Sequence, residues 1–352
     1  MMKPGLIALI GSGETAAAGG QAFEALADKL GAPLPISVLE TPAGFELNSA
    51  TVAGRVAEYM KTRLQNYRPD PRLIPARSRA SEFSPDNPAV LEPLLESRFI
   101  FAGPGSPSYA VRQLQGSLAW EYVQARHRLG AALAFASAAS ISVGALSLPV
   151  YEIYKVGEDP HWKPGLDLFD PYGLSLAIIP HWNNTDGGAE LDTSHCFIGA
   201  NRYEKLRAAL PSQTSILGID EHTSLIIDLD AGVCQVIGRD EVHIYCDGGE
   251  CAYHQGEQFP ISALGDYHPL EKPDAGIRPQ VWQTVTEAHR IRQETAQAVS
   301  IPPDEVHQLV ALRQEARSRR DWAESDRLRD QIAARGWAVK DTPSGPVIEP
   351  NP

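Results

Sequence analysis

The stretch "LAFASAASISVG", residues 133–144, runs from an apolar segment into small and polar residues. It reads as a buried strand passing tightly into a helix, and two meanings of Ser137 at the junction stay open: tight packing, or an exposed nucleophile. Working outward, "LIALIG" (6–11), "ISVLETPA" (36–43), "SRFIFAGPG" (97–105) and "GAALAFAS" (130–137) are further short apolar runs ending in Gly, Pro or Ser. Between them, "GQAFEALADKLG" and "ATVAGRVAEYMKTRLQNY" place apolar residues at helical spacing. Such alternation predicts a mostly parallel sheet flanked by helices, an α/β fold. Ligands of these sheets sit outside the carboxyl ends of the strands. The informative segments are therefore Gly11 to Glu14, Gly103 to Ser106 and Ser137 to Ala139.

A chain of 352 residues with 43% hydrophobic content is enough for about two domains. The apolar run Leu6 to Ile10 falls short of the roughly 7 to 15 residues of a signal core. No stretch approaches the ~20 apolar residues of a membrane span, and four cysteines without a secretory signal point to the cytoplasm. A net charge of −13 argues against a nucleic-acid surface spread over the whole molecule. From about residue 214, "TSILGIDEHTSLIIDLDAGVCQVIGRDEVHIYCDGGE" predicts a terminal strand followed by β-hairpin strands. The Pro-rich "YHPLEKPDAGIRPQ" then begins a linker with one helix. The expected organisation is an α/β domain over 1–265, a linker over 266–303 and a small helical-hairpin module over 304–352. In that module Val306, Leu309, Val310 and Leu312 form one apolar stripe, and Ala323, Leu328 and Ile332 a second.

Chemistry is sought at the strand ends of the first domain. A Ser at a strand-to-helix tip faces substrate while backbone N–H groups of the same turn face a developing oxyanion. "LAIIPHWNN" places His181 at the end of an apolar strand, and "ILGIDEHTSLII" places Asp220, Glu221 and His222 at a break within another. Charge inside an apolar run is costly unless paired or solvated. Ser, His and a carboxylate at strand ends make the set needed for acyl transfer. For each residue the plainer reading, turn or surface chemistry, stands beside it.

"GSGE", "AGPGSPSYAVRQL", the Ser137 turn, "PHWNN" and "GIDEHTSLIID" together resemble the serine peptidase family of aspartyl dipeptidase and cyanophycinase over about residues 1–265. The resemblance implies a class I glutamine amidotransferase-like, flavodoxin-like sandwich and a peptidase or isopeptidase reaction on a small peptide or amide. It makes Ser137 the nucleophile, His181 the base and Glu221 the acid, with Glu152 as the alternative acid. It places oxyanion and substrate contacts at Gly103, Gly105, Ser106, Ala138 and Asn183, with Gly105 and Ala138 giving the N–H groups. The chain departs from the family's Gly-x-Ser-x-Gly turn at Phe135 and Ala139. The Arg-rich stretch that follows the histidine in cyanophycinase is acidic here, so that substrate preference does not carry over.

"LVALRQEARSRRDWAESDRLRDQIAARGWAVKDTPSGP" resembles the terminal module of cysteinyl-tRNA synthetases. No His-Ile-Gly-His or Lys-Met-Ser-Lys-Ser signature of a synthetase body accompanies it. Arg313, Arg317 and Arg320 share one helix face and are candidate RNA contacts. Eight Lys/Arg against nine Asp/Glu from residue 304 onward favour an ordinary solvated helix instead. No cofactor and no metal are expected: Cys246, Cys251 and His254 lack zinc spacing, and Gly11-Ser12-Gly13 lacks the third glycine of a dinucleotide loop. The rival to a hydrolase is a non-catalytic ligand- or tRNA-binding protein on the same fold. A homo-oligomer is left open.

Overall fold

The computed structural model describes residues 3–246, 249–300, 302–342 and 345–350, and of 296–300 and 350 the backbone only. Asp247 and Gly248 of the Cys246–Cys251 turn, Pro343 and Ser344 of the "DTPSG" segment and the last two residues of the module lie outside the described residues. Strands β1 (Ile7–Ile10), β2 (Leu34–Leu39), β3 (Pro69–Ile74), β4 (Phe99–Ala102) and β5 (Ala132–Ala136) run parallel in the order β1-β5-β4-β2-β3. Most of these strands are apolar at successive positions because both faces of the sheet are covered. Ala8 and Ile10 join a core with α1 (Ala17–Leu30) and α2 (Ser49–Arg63). Ile7 and Leu9 join the opposite core, with α3 (Pro88–Glu96), α4 (Pro107–Leu114) and α5 (Leu118–Arg128).

A second sheet packs into that opposite core. It holds β6 (Leu146–Ser147), β7 (Lys163–Pro164), β8 (Ser175–Ile179) and β9 (Thr214–Ile219), with β6, β8 and β9 parallel. The region read as a strand and following hairpins is divided between the two sheets. After β9 the chain crosses at Asp220 to His222 and returns to the first sheet as β10 (Thr223–Asp228), antiparallel to β1. β11 (Val233–Gly238) completes a hairpin, and the chain then crosses back to β12 (Glu241–Cys246) beside β9, with β13 (Gly249–His254) on the outer side of β12. β14 (Gln258–Pro260) returns to the first sheet beside β11. Gly238 makes the second crossing at φ 126°, where a Cβ would lie 2.3 Å from the His222 carbonyl oxygen; only glycine fits so close a backbone approach. Among the described residues the sheets contain eight and six strands.

The chain divides into two compact units between Thr286 and Glu287. This boundary differs from the one expected at 265, because the Pro-rich segment carries its own apolar stripe. Ile277, Val281 and Val285 are buried in the first core, Arg278 pairs with Glu121 at 2.8 Å, and Arg128 donates to the Pro273 carbonyl at 3.0 Å. A helix over Pro279–Ser300 spans the division. The second unit holds helices Asp304–Ser318 and Trp322–Ala334 and the hairpin β15 (Trp337–Thr342) with β16 (Gly345–Pro350). Val306, Leu309, Val310, Leu328, Ile332 and Trp337 form its core. Leu312, counted with the first stripe, is instead 50% exposed, and Ala323 is exposed. No helix among the described residues is long and apolar enough to cross a membrane.

Candidate active site

β5 ends at Ala136, paired with Ile10 of β1, and the chain turns at once into the short helix α6 (Ala138–Ser142). Ser137 makes that turn with φ 52° and ψ −116°, a sparsely populated backbone conformation that costs about 1–3 kcal/mol. Its surroundings hold it there. The Ser137 N–H donates to the Ile10 carbonyl at 3.2 Å, and the Ser140 hydroxyl bonds to the carbonyls of Phe135 at 2.8 Å and Ile10 at 3.2 Å. The two departures from glycine do not obstruct the turn. Phe135 faces the core beside Trp120, with ring centroids 6.3 Å apart, and Ala139 is buried in the same core.

His181 follows the end of β8 and also has a positive φ, 51°. Its Nε2 lies 2.9 Å from Ser137 Oγ, and its Nδ1 lies 3.1 Å from Glu221 Oε1. The Nδ1–H donating to the carboxylate leaves the Nε2 lone pair to accept from the serine hydroxyl. The main chain at His181 is held as well, since Cys196 N–H donates to the His181 carbonyl at 3.0 Å and Asn184 N–H at 3.2 Å. Glu221 sits at the crossing between the sheets. Its N–H donates to Asn183 Oδ1 at 2.8 Å, and its Oε1 also accepts from Asn184 Nδ2 at 2.9 Å. Serine, imidazole and carboxylate thus form one hydrogen-bonded chain built from three strand ends in two sheets.

A cavity of about 60 Å³ lies over Ser137, lined by Gly105, Ala138, Ile141, Tyr151, His181 and Phe197 among others. Gly105 has φ +149°, and a Cβ there would stand 2.0 Å from the Pro42 carbonyl oxygen, so glycine is required. Gly103 is not among the residues lining this cavity, and a Cβ there would stand 2.8 Å from the Phe101 ring. Ser106 caps α4: its hydroxyl accepts from Tyr109 N–H at 3.2 Å and its own N–H donates to Pro42 at 2.9 Å. Asn183 is exposed, and its Oδ1 accepts from the Glu221 N–H at 2.8 Å. Glu152 accepts from Lys163 Nζ at 2.9 Å and lines a larger adjoining cleft. Cys196 also lines the small cavity, where burial pushes its thiol up to about 12.

Asn184 went unread in the sequence. It is 2% exposed and shares the Glu221 oxygen that His181 uses; the doubled asparagine of "PHWNN" was the available signal. Among the described residues, no three His, Cys, Asp or Glu side chains converge as metal ligands.

In the terminal unit the expected arginine face is altered at two of its three positions. Arg313 is 5% exposed and makes a bidentate pair with Asp341, both bonds 2.9 Å. It therefore offers no surface for RNA, contrary to the reading from helix periodicity. Arg317 reaches the same carboxylate at 3.4 Å and lies 5.5 Å over the Trp322 ring. Arg320 lies past the end of the unit's first helix, which stops at Ser318; it takes φ 60° in the following turn and is exposed, so it does not share a helix face with Arg317.

Comparison with known proteins separates the two units. Residues 302–345 match the cysteinyl-tRNA ligase anticodon binding domain. Over 46 residues the chain is 52% identical to the cysteine–tRNA ligase of Rubrobacter xylanophilus, covering 13% of this chain and 10% of that enzyme. Over 99 residues it is 37% identical to the ligase of Afipia carboxidovorans, covering 25% and 21%. The chain thus spans only a tenth to a fifth of the length of these relatives. In three dimensions it is similar to a peptidase from an acI-B1 Actinobacterium, with a TM-score of 0.59 and 21% identity over 74% of this chain and 98% of that one. The likeness to that peptidase is one of fold: a mixed α/β architecture with a large, mostly parallel sheet flanked by helices.

Proposed function

We propose that the first unit is a serine hydrolase of the peptidase or isopeptidase type. The observation that carries this reading is the unbroken hydrogen-bonded chain from a strained Ser137 through His181 to Glu221. Ser137 Oγ attacks the carbonyl carbon of an amide while His181 Nε2 takes the hydroxyl proton. Glu221 orients the imidazole and stabilises it once charged. The N–H groups of Gly105 and Ala138 receive the oxyanion. The C–N bond then breaks, His181 gives its proton to the departing amine, and water, activated by the same imidazole, releases the acid from the Ser137 ester. Asn184 is a positioning residue for Glu221. The fold likeness to a peptidase supports this assignment. Incubation with a library of short peptides tests it: new amino termini appear with the native chain and not with Ser137→Ala. Equal release by both proteins would overturn it.

For the terminal unit, the match to an anticodon binding domain favours a second reading, contact with RNA. Such contact falls to Arg320, with Arg317 able to leave Asp341, and not to Arg313.

A further inference from the structure

Next to the small cavity over Ser137 lies an open cleft of about 590 Å³, and Tyr151 lines both. Most large apolar side chains of the molecule are covered, yet Phe45, Tyr151 and Val156 stand 50%, 43% and 73% exposed around this one cleft. Phe45 packs on Tyr109 with ring centroids 5.1 Å apart, so part of the wall is aromatic. Clustered exposed apolar surface of this kind marks a binding site.

The charges of the cleft are unequal in their engagement. Glu152 is held by Lys163. Arg112 and Lys155 lie over the rings of Tyr109 and Tyr154, at 5.0 and 4.9 Å, and neither forms an ion pair among the described residues. Glu46 is the remaining carboxylate of the lining. Two cations free of carboxylates beside an aromatic wall suit an anion carried on an apolar body. An acidic side chain would lose the contact with the wall and face Glu46 and Glu152.

We propose that this cleft selects the substrate: a short peptide whose C-terminal residue has a large apolar side chain lying on Phe45, Tyr151 and Val156, with its free carboxylate held by Arg112 and Lys155. That residue departs as the amine when Ser137 is acylated. The proposal rests on the hydrolase reading for its reaction, but not for its binding.

The test is calorimetric titration of the full-length Ser137→Ala protein, which retains the cleft. The dipeptide Ala-Phe binds at least tenfold more tightly than its C-terminal amide, and at least tenfold more tightly than Ala-Gly or Ala-Asp. Arg112→Gln and Lys155→Gln together abolish the acid–amide difference while Ala-Phe still binds better than Ala-Gly. Equal binding of acid and amide, equal binding of Ala-Phe and Ala-Gly, or binding of no peptide would overturn the assignment. Failure here leaves the acyl-transfer chemistry of Ser137 standing. A normal acid–amide difference in a protein whose Ser137 proves unreactive would reject the reaction and keep the cleft.

Discussion

The two units spend their charged residues in opposite ways. In the first, His181 and Glu221 lie at strand ends, 17% and 30% exposed, with Glu221 bonded to His181 and His181 bonded in turn to a serine that lines a small cavity. In the second, Arg313 and Asp341 are turned on each other, and the guanidinium is withdrawn from solvent. Sequence likeness runs the other way, high over the terminal segment and low over the large domain. The contrast teaches that resemblance in sequence identifies a module, while only the partners of each charged group say which of its residues can meet a ligand.

The largest effect that would sharpen this contrast concerns where the first unit ends. A chain ending at Asp266 loses Ile277, Val281 and Val285, all 7% exposed or less. Burial of each is worth about 1.5–3 kcal/mol before the entropy of ordering is subtracted. The truncated chain is therefore destabilised by on the order of 5 kcal/mol, read as a lower urea midpoint, whereas a chain ending at Thr286 keeps its midpoint. Equal midpoints would return the boundary to 265. Next in size is the choice of acid. Glu221→Gln lowers turnover at least ~100-fold, the scale of triad members, while Glu152→Gln changes it by less than about tenfold. The reverse ranking would transfer the orienting role to Glu152. The smallest effect lies in the terminal unit. Asp341→Ala leaves the Arg313 guanidinium buried without its carboxylate and costs that unit about 2 kcal/mol. Chemical denaturation followed by Trp337 fluorescence measures it, and an unchanged midpoint would show that the pair is dispensable.

Much of this arrangement was legible in the sequence, and for physical reasons. Parallel strands covered on both faces leave continuous apolar runs, so the ends of β5, β8 and β9 were readable, and with them the strand-end placement of Ser137, His181 and Glu221. The sheet assignment of residues 214–246 was not. A three-residue crossing between packed sheets has the same turn residues as a hairpin, and β-branched runs look alike in either sheet. Gly103 and Gly105 share one loop and one residue type, and only the φ of +149° and the approach to Pro42 at Gly105 separate them. Asn183 and Asn184 are adjacent and identical; backbone direction gave one the Glu221 N–H and the other its carboxylate. Helix periodicity placed Arg313 on a common face with Arg317 and Arg320, but it carries no information about Asp341, 28 residues away on β15.

The central claim is that Ser137 is a nucleophile made reactive by His181. Its most direct measurement is the rate of covalent labelling by a fluorophosphonate, with the modified peptide located by mass spectrometry. The native protein takes up one label, on Ser137, Ser137→Ala takes up none, and His181→Ala is labelled at least ~100-fold more slowly. Undiminished labelling of Ser137→Ala, or an unchanged rate in His181→Ala, would contradict the account.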